Sequence, residues 1–269
     1  MTLPNYALNQ RSFPEMYERW LVRPLFLPWA ELTLDELKLS RGERFLDIAC
    51  GTGIVARVAK ERLGDTGHVV GVDLSPDMLA TARAVAPDID WREGNASSLP
   101  LKDGEQFDVV VCQQGLQFFT EKTQAIAEMR RALAEHGRLA VATWRSDDEM
   151  PFLRELRYVA ERHLGGINDQ RYAFGDAALL EVLLRDAGFQ DIDVKTVART
   201  IRFDEGEIFI RLNTMAFVGM STAGKTMSDE ERKRVMESIV EESAPVLQRY
   251  SDESGLAFEL STNLAIATR

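Results

Sequence analysis

The stretch "FLDIACGTGIVA" covers residues 45–56. An apolar run meets Asp47, breaks at Gly51-Thr52-Gly53 and then turns helical, with Ile54, Val55, Val58, Ala59 and Leu63 at helical spacing. Glycines at such a point allow a tight turn and let a ligand lie against bare backbone. The helix that follows aims its free N–H groups at whatever is bound. Asp73 ends the next apolar run. A carboxylate placed there, beyond a glycine turn and at the end of the second strand, can accept both hydroxyl hydrogens of a ribose. Two glycines alone would make only a turn; with Asp73 at this distance the pattern points to a nucleoside-bearing cofactor.

Working outward, short apolar runs recur at 44–49, 68–73, 89–91, 107–112 and 138–144, with helical patterns between them. Ser75-Pro76 reads as an N-cap followed by proline at the first helical position. Near-continuous apolar strands alternating with helices predict a parallel sheet covered on both faces. Beyond 144 the spacing predicts helices near 150–164 and 177–187, then the alternating strand "QDIDVKTVARTIRF". Residues 204–250 read as helical, with a capping box at Ser228 and Glu231. The final "LAFELSTNLAIATR" alternates again and is expected to pair hairpin-like with the preceding strand.

The chain has 269 residues and a net charge of −11, which disfavours a nucleic-acid partner. Its apolar runs are too short to span a membrane. The opening "MTLPNYALNQRSFPEMYERW" lacks the charged and apolar regions of a secretion signal. Cys50 and Cys112 sit in apolar surroundings and read as reduced core thiols, so a cytoplasmic setting is expected. His68, His136 and His163 are scattered, no residues have metal-ligand spacing, and no metal is expected.

The spacing Gly51-x-Gly53-x-x-Ala56 with Asp73 also satisfies a dinucleotide fingerprint. Asp47 separates the two readings. Just upstream of Gly51, it would repel a pyrophosphate but welcome an ammonium and a sulfonium, which points to S-adenosylmethionine. A nicotinamide-dependent oxidoreductase and a non-catalytic S-adenosylmethionine-binding regulator are the alternatives.

"FLDIACGTGIVA", "VVGVDLSPDMLATAR", "EGNASSLPL", "FDVVVCQQGLQFF" and "EMRRALAEHGRLAVATW" together resemble the class I S-adenosylmethionine-dependent methyltransferases. The likeness is to their small-molecule branch, the methyltransferase type 11 group that includes quinone-biosynthesis C-methyltransferases. It spans about residues 43–144 and is weaker over 145–203. It implies a Rossmann-like, doubly wound α/β fold with a seven-stranded, mostly parallel sheet whose last strand is antiparallel. It implies an enzyme that moves a methyl group from S-adenosylmethionine to a small organic acceptor by in-line displacement, leaving S-adenosylhomocysteine.

The resemblance also implies roles. Asp47, Ala49, Gly51, Thr52 and Gly53 line the methionine part, and Asp73 holds the ribose. Leu74 and Met78 flank the adenine, whose edge meets Gly94, Asn95 and Ala96. Gln113 offers a backbone carbonyl to the ammonium, and Gln114, Gly115 and Gln117 follow at the mouth of the sheet. Two departures stand out: Asn95 replaces the family's usual Asp, and Glu135-His136-Gly137 replaces Pro-Gly-Gly. The second is expected to put His136 at positive φ.

The expected organisation is a helical cap (1–40), a cofactor-binding core (41–203), a helical lid insert (204–255) and a final core strand (256–269). Aromatic residues crowd the start of the chain: Tyr6, Phe13, Tyr17, Trp20, Phe26 and Trp29. Tyr6, Phe13, Tyr17 and Trp20 among them, with His163, are the candidates for the acceptor site; core packing of a cap is the equal alternative. A small-molecule acceptor, no membrane span, and a monomer or homodimer complete the expectation.

Overall fold

A computed structural model describes residues 13–269, so Tyr6 lies outside the described residues. The strands are β1 Arg44–Ile48, β2 His68–Asp73, β3 Asp90–Glu93, β4 Phe107–Gln113, β5 Leu133–Trp144, β6 Gln190–Phe203, β7 Ser251–Asp252 and β8 Gly255–Thr268. The helices are α1 Phe13–Met16, α2 Leu27–Leu37, α3 Ile54–Leu63, α4 Pro76–Val85, α5 Lys122–Ala132, α6 Pro151–Leu164, α7 Ala177–Asp186, α8 Gly206–Met220, α9 Thr222–Thr226, α10 Asp229–Glu242 and α11 Ala244–Arg249. A π-helical stretch, Tyr17–Phe26, joins α1 to α2. The chain forms two compact units.

The larger unit takes in residues 25–146, 171–198 and 261–269. Its sheet runs β3-β2-β1-β4-β5-β8-β6. The pairs β1–β2, β1–β4, β2–β3 and β4–β5 are parallel, and β8 is antiparallel to β5. This is the Rossmann-like architecture that the alternation of apolar strands and helices predicts. The strand path has the expected seven members; the short β7, paired with β8, adds an eighth.

Helices cover both faces because the strands are apolar on both. On one face Ile126, Met129, Leu180 and Leu184 pack over Leu46, Ile48, Val70 and Val110. On the other, Leu34, Ala59 and Leu79 pack over Phe45, Val69, Val109 and Val111. Local signals start two of the helices. Ser75 Oγ accepts the Met78 N–H at 3.3 Å ahead of Pro76 in α4, and Asp176 Oδ1 accepts the Ala178 N–H at 2.8 Å at α7. Strand order reverses between β1 and β4, so the loops after these two strands open at the switch point, where open α/β sheets bind ligands. His136 sits at φ +64°, as its place in the turn predicts.

The smaller unit takes in residues 13–24, 147–170 and 199–260. Its core is aromatic: Phe152, Phe203, Phe209 and Phe258 are buried, with Phe152 and Phe258 ring centroids 4.5 Å apart. The capping box of α10 is present, Ser228 Oγ accepting the Glu231 N–H while Glu231 Oε2 accepts the Ser228 N–H.

Candidate active site

The turn after β1 is held by hydrogen bonds that leave its outer face open. The Cys50 N–H donates to Val72 O at 3.1 Å and the Gly53 N–H to Cys50 O at 2.8 Å. Ala49, Gly51 and Gly53 all adopt positive φ, at +56°, +56° and +89°. The two glycines serve different ends. A side chain at Gly51 would meet nothing within 4 Å, whereas a Cβ at Gly53 would lie 2.1 Å from the Trp91 ring. Gly51 leaves open space over the turn, and Gly53 makes room for a core indole. Trp91 is itself fixed by its Nε1–H, which donates to Ala86 O at 2.8 Å.

Asp73 closes this turn from β2. Its Oδ2 accepts the Gly51 N–H and its Oδ1 accepts the Ser75 N–H, both at 2.8 Å. Burial raises its pKa against the lowering effect of these backbone donors. Asp47, at the floor, is 1% exposed and accepts the Ala56 N–H at 3.0 Å. Burial pushes its carboxyl up to about 8, with the nearby Asp73 adding to the rise and the Ala56 N–H and Arg57 opposing it. Burial of this kind favours the neutral carboxyl, whereas a cation placed beside it would favour the carboxylate. Burial also raises the thiols of Cys50 and Cys112, which are free and held as unreactive neutral groups.

Beside Asp73 lies a cavity of about 120 Å³ lined by Leu74, Asn95, Ser97, Phe118, Phe119, Thr120 and Glu121. Leu74 and Phe118 are among the most exposed large apolar side chains described, at 67% and 53%. Asn95 Oδ1 accepts both the N–H and the Oγ–H of Ser97 at 2.9 Å, which turns its Nδ2 donor away from Ser97. Met78 is half-buried, Ala96 is buried, and Gly94 is pressed against Pro100. Phe118, Phe119 and Ser97 were not singled out from sequence. The paired aromatics that follow the fourth strand are the signal that could have found them.

The second loop, after β4, is packed against the first: a Cβ at Gly115 would meet the Ala49 Cβ at 2.6 Å. Gln113, Gln114 and Gln117 are all buried there. The Gln113 side chain is spent on α2 and the residue before it, its Oε1 accepting from Thr33 and its Nε2 donating to Phe26 O, both at 3.4 Å. Thr52 is 1% exposed, and its Oγ1 has no hydrogen-bond partner among the described residues.

Of the acceptor-site candidates, Phe13 and Tyr17 face each other in the smaller unit with centroids 6.1 Å apart. Trp20 carries Arg19 over its ring at 4.8 Å, and His163 Nε2 lies 2.9 Å from Glu242 Oε1.

Fold and strand order define a Rossmann-like protein whose glycine turn opens at the switch point. The family description "Methyltransferase domain" matches residues 46–141. The chain is 30% identical over 205 residues to the 2-phytyl-1,4-naphtoquinone methyltransferase of Thermosynechococcus vestitus, covering 69% of this chain and 90% of that one. It is 31% identical over 200 residues to the demethylmenaquinone methyltransferase of Renibacterium salmoninarum, covering 67% and 82%. A solved SAM-dependent methyltransferase of Thermotoga maritima has a TM-score of 0.55 at 20% identity, over 96% of this chain and 97% of that one. The [4+2]-cyclase SpnF shares the fold at TM-score 0.55 and 22% identity, over 90% and 80%, so the fold alone does not define the chemistry. The chain belongs to the S-adenosylmethionine-dependent methyltransferase family. No helix among the described residues is long and apolar enough to cross a membrane.

The residues present fit the cofactor. Gly51 has open space over the turn, Asp47 is a buried carboxyl beneath it, and the cavity next to Leu74 mixes apolar and polar lining residues.

Proposed function

We propose that this chain transfers the methyl group of S-adenosylmethionine to a flat, weakly polar small molecule, acting in the cytoplasm as a monomer or homodimer. The observation that carries the reading is the pairing of a buried carboxyl, Asp47, with a ribose-type carboxylate, Asp73, across one glycine turn. In the proposed site Asp47 holds the ammonium, Asp73 the ribose, and Leu74, Asn95 and Phe118 the adenine. Gly51 gives the ligand access to the backbone. Asp47 is a poor neighbour for a pyrophosphate, which disfavours the nicotinamide alternative. The names of the relatives support a quinoid ring as acceptor, and the net charge of −11 disfavours a polyanion.

When bound, the cofactor supplies an electrophilic methyl on a sulfonium. The chain's part is to hold the two reactants in line, which can supply on the order of 7–11 kcal/mol of the barrier. It also keeps water out: positive charge is neutralised as the methyl leaves sulfur, so a dry pocket does not oppose the transition state. No strong base is required of the chain. We further propose that residues 1–40 and 204–250 carry the determinants of acceptor choice, residues 41–203 and 256–269 supplying the cofactor site.

Calorimetry tests the cofactor: S-adenosylhomocysteine should bind and NAD should not. The reverse result would sink the reading. For the acceptor, Phe13→Ala and Tyr17→Phe should leave S-adenosylhomocysteine affinity unchanged while at least one lowers turnover of a naphthoquinol. If both only lower the melting temperature, the segment is a packed cap.

A further inference from the structure

Two carboxamides at the mouth of the sheet are buried with their oxygens unanswered. Gln114 is 7% exposed and Gln117 2%, and neither Oε1 has a hydrogen-bond partner among the described residues. Their orientation follows from the surrounding bonds. Gln114 Nε2 donates at 2.9 Å to Thr262 Oγ1, whose own hydroxyl donates at 2.8 Å to Thr143 O. Gln117 Nε2 donates at 2.9 Å to Gln114 O, a carbonyl that can only accept. Turning Gln117 over would set oxygen against oxygen, and turning Gln114 over would draw the Thr262 hydroxyl away from Thr143 O. Both free atoms are therefore acceptors, and a buried acceptor left unmatched is costly.

The backbone holds Gln114 under strain. Gln114 stands at φ +56°, unusual for a residue with a side chain, with its N–H fixed to Ala142 O at 2.8 Å. Strain of this kind persists where the surroundings impose it and gathers at ligand sites.

Position on the sheet distinguishes the cofactor from the other reactant. Asp73 ends β2, while the Gln114 carboxamide reaches Thr262 on β8, beyond β1, β4 and β5 in the strand order. That is three to four strand spacings, roughly 14–19 Å at about 4.8 Å each. The sulfonium is bonded to the 5′ carbon of the ribose, so a cofactor whose ribose sits at Asp73 keeps its sulfur near β1 and β4. Its ammonium is matched by Asp47 on β1. The Gln114 amide lies past both in the strand order, on the side away from Asp73.

Resting on the methyltransferase reading, we propose that Gln114 Oε1 and Gln117 Oε1 receive a hydroxyl or N–H of the methyl acceptor, and that this donor group is a condition of productive binding. This moves the two residues from the cofactor to the acceptor. A site built on buried acceptors rejects an analogue that cannot donate, because the oxygens would then stay unpaired.

The probes are 1,4-dihydroxynaphthalene and 1,4-dimethoxynaphthalene, two flat rings that differ in their capacity to donate. Binding is measured anaerobically to the full chain saturated with S-adenosylhomocysteine. The dihydroxy compound should bind roughly 10–100-fold more tightly than the dimethoxy compound. Gln114→Leu should cut that ratio at least about tenfold while S-adenosylhomocysteine affinity in the absence of acceptor stays unchanged. Gln117→Leu is the second variant, in case the first fails to fold, and carries the same expectation. Equal affinity for the two naphthalenes, binding of neither, or loss of S-adenosylhomocysteine affinity in the variants would each overturn the proposal. Failure of the parent chain to bind S-adenosylhomocysteine at all would instead remove the methyltransferase reading beneath it.

Discussion

Asp73 Oδ2 accepts the Gly51 N–H at 2.8 Å, so the carboxylate that ends β2 also holds the glycine turn that follows β1. One side chain thus serves both the shape of the loop and the proposed ribose contact. Asp73→Ala removes both and should weaken S-adenosylhomocysteine binding by at least the ~1.5–3 kcal/mol typical of hydrogen bonds to a charged group. Asp73→Asn keeps an oxygen for one donor and should fall between the parent and the alanine variant. Calorimetry on all three checks the order; unchanged affinity in the alanine variant would remove Asp73 from the site.

Gly51 and Gly53 should respond to alanine in opposite ways. Gly53→Ala drives a Cβ to within 2.1 Å of the Trp91 ring at φ +89°, so the indole or the turn must move. Overpacking of this kind costs about 1–3 kcal/mol or more, and the melting temperature should drop clearly. Gly51→Ala meets no neighbour and bears only the left-handed backbone cost of about 1–2 kcal/mol. Its larger loss should be in cofactor affinity, because the methyl group enters the space over the turn. Melting curves paired with calorimetry test the contrast.

With Asp47 at the ammonium, as proposed, cofactor binding should depend on pH. Its folded value of about 8 lies above the unfolded value of about 3.9, so the folded chain holds the extra proton in between. The contribution of this residue to stability is therefore fully present below about pH 4 and is lost as pH rises towards 8. Asp47→Asn abolishes that slope. Denaturant melts at pH 5.5 and pH 8 should show the variant gaining on the parent at the higher pH. A bound ammonium favours the carboxylate, so below pH 8 the parent should release a proton on binding S-adenosylhomocysteine. Calorimetry in buffers of different ionisation enthalpy reads that proton, and the asparagine variant should not release it.

Asn95 tolerates Asp in the expected outcome. Its Oδ1 is committed to Ser97, a role a carboxylate fills equally well. Asn95→Asp should therefore bind S-adenosylhomocysteine at least as tightly as the parent. A clear loss measured by calorimetry would show that the Nδ2 donor is needed by the ligand.

The alternation of strand and helix, the capping residues Ser75 and Ser228, and the glycine turn with its two carboxylates are local in character. Each follows from periodicity, from a backbone need or from the spacing of a short motif, and each can be read from neighbouring residues. Asp47, Gly51 and Asp73 could be named from the chain alone because strand, turn, helix and strand follow one another without interruption between Arg44 and Asp73. Position 53 shows the limit: its glycine reads as a ligand contact, and only the structure adds that Trp91, on the more distant β3, lies beneath it. The same holds for Gln114. Its sequence neighbourhood puts it at the cofactor, and only the structure adds that its amide donates to Thr262, far along the chain on β8. Local pattern determined which elements form and where the glycine turn at the switch point lies. Only the tertiary structure decided which buried oxygens are left without a donor, because satisfaction of a polar group depends on every chain segment that reaches it, near or far in sequence.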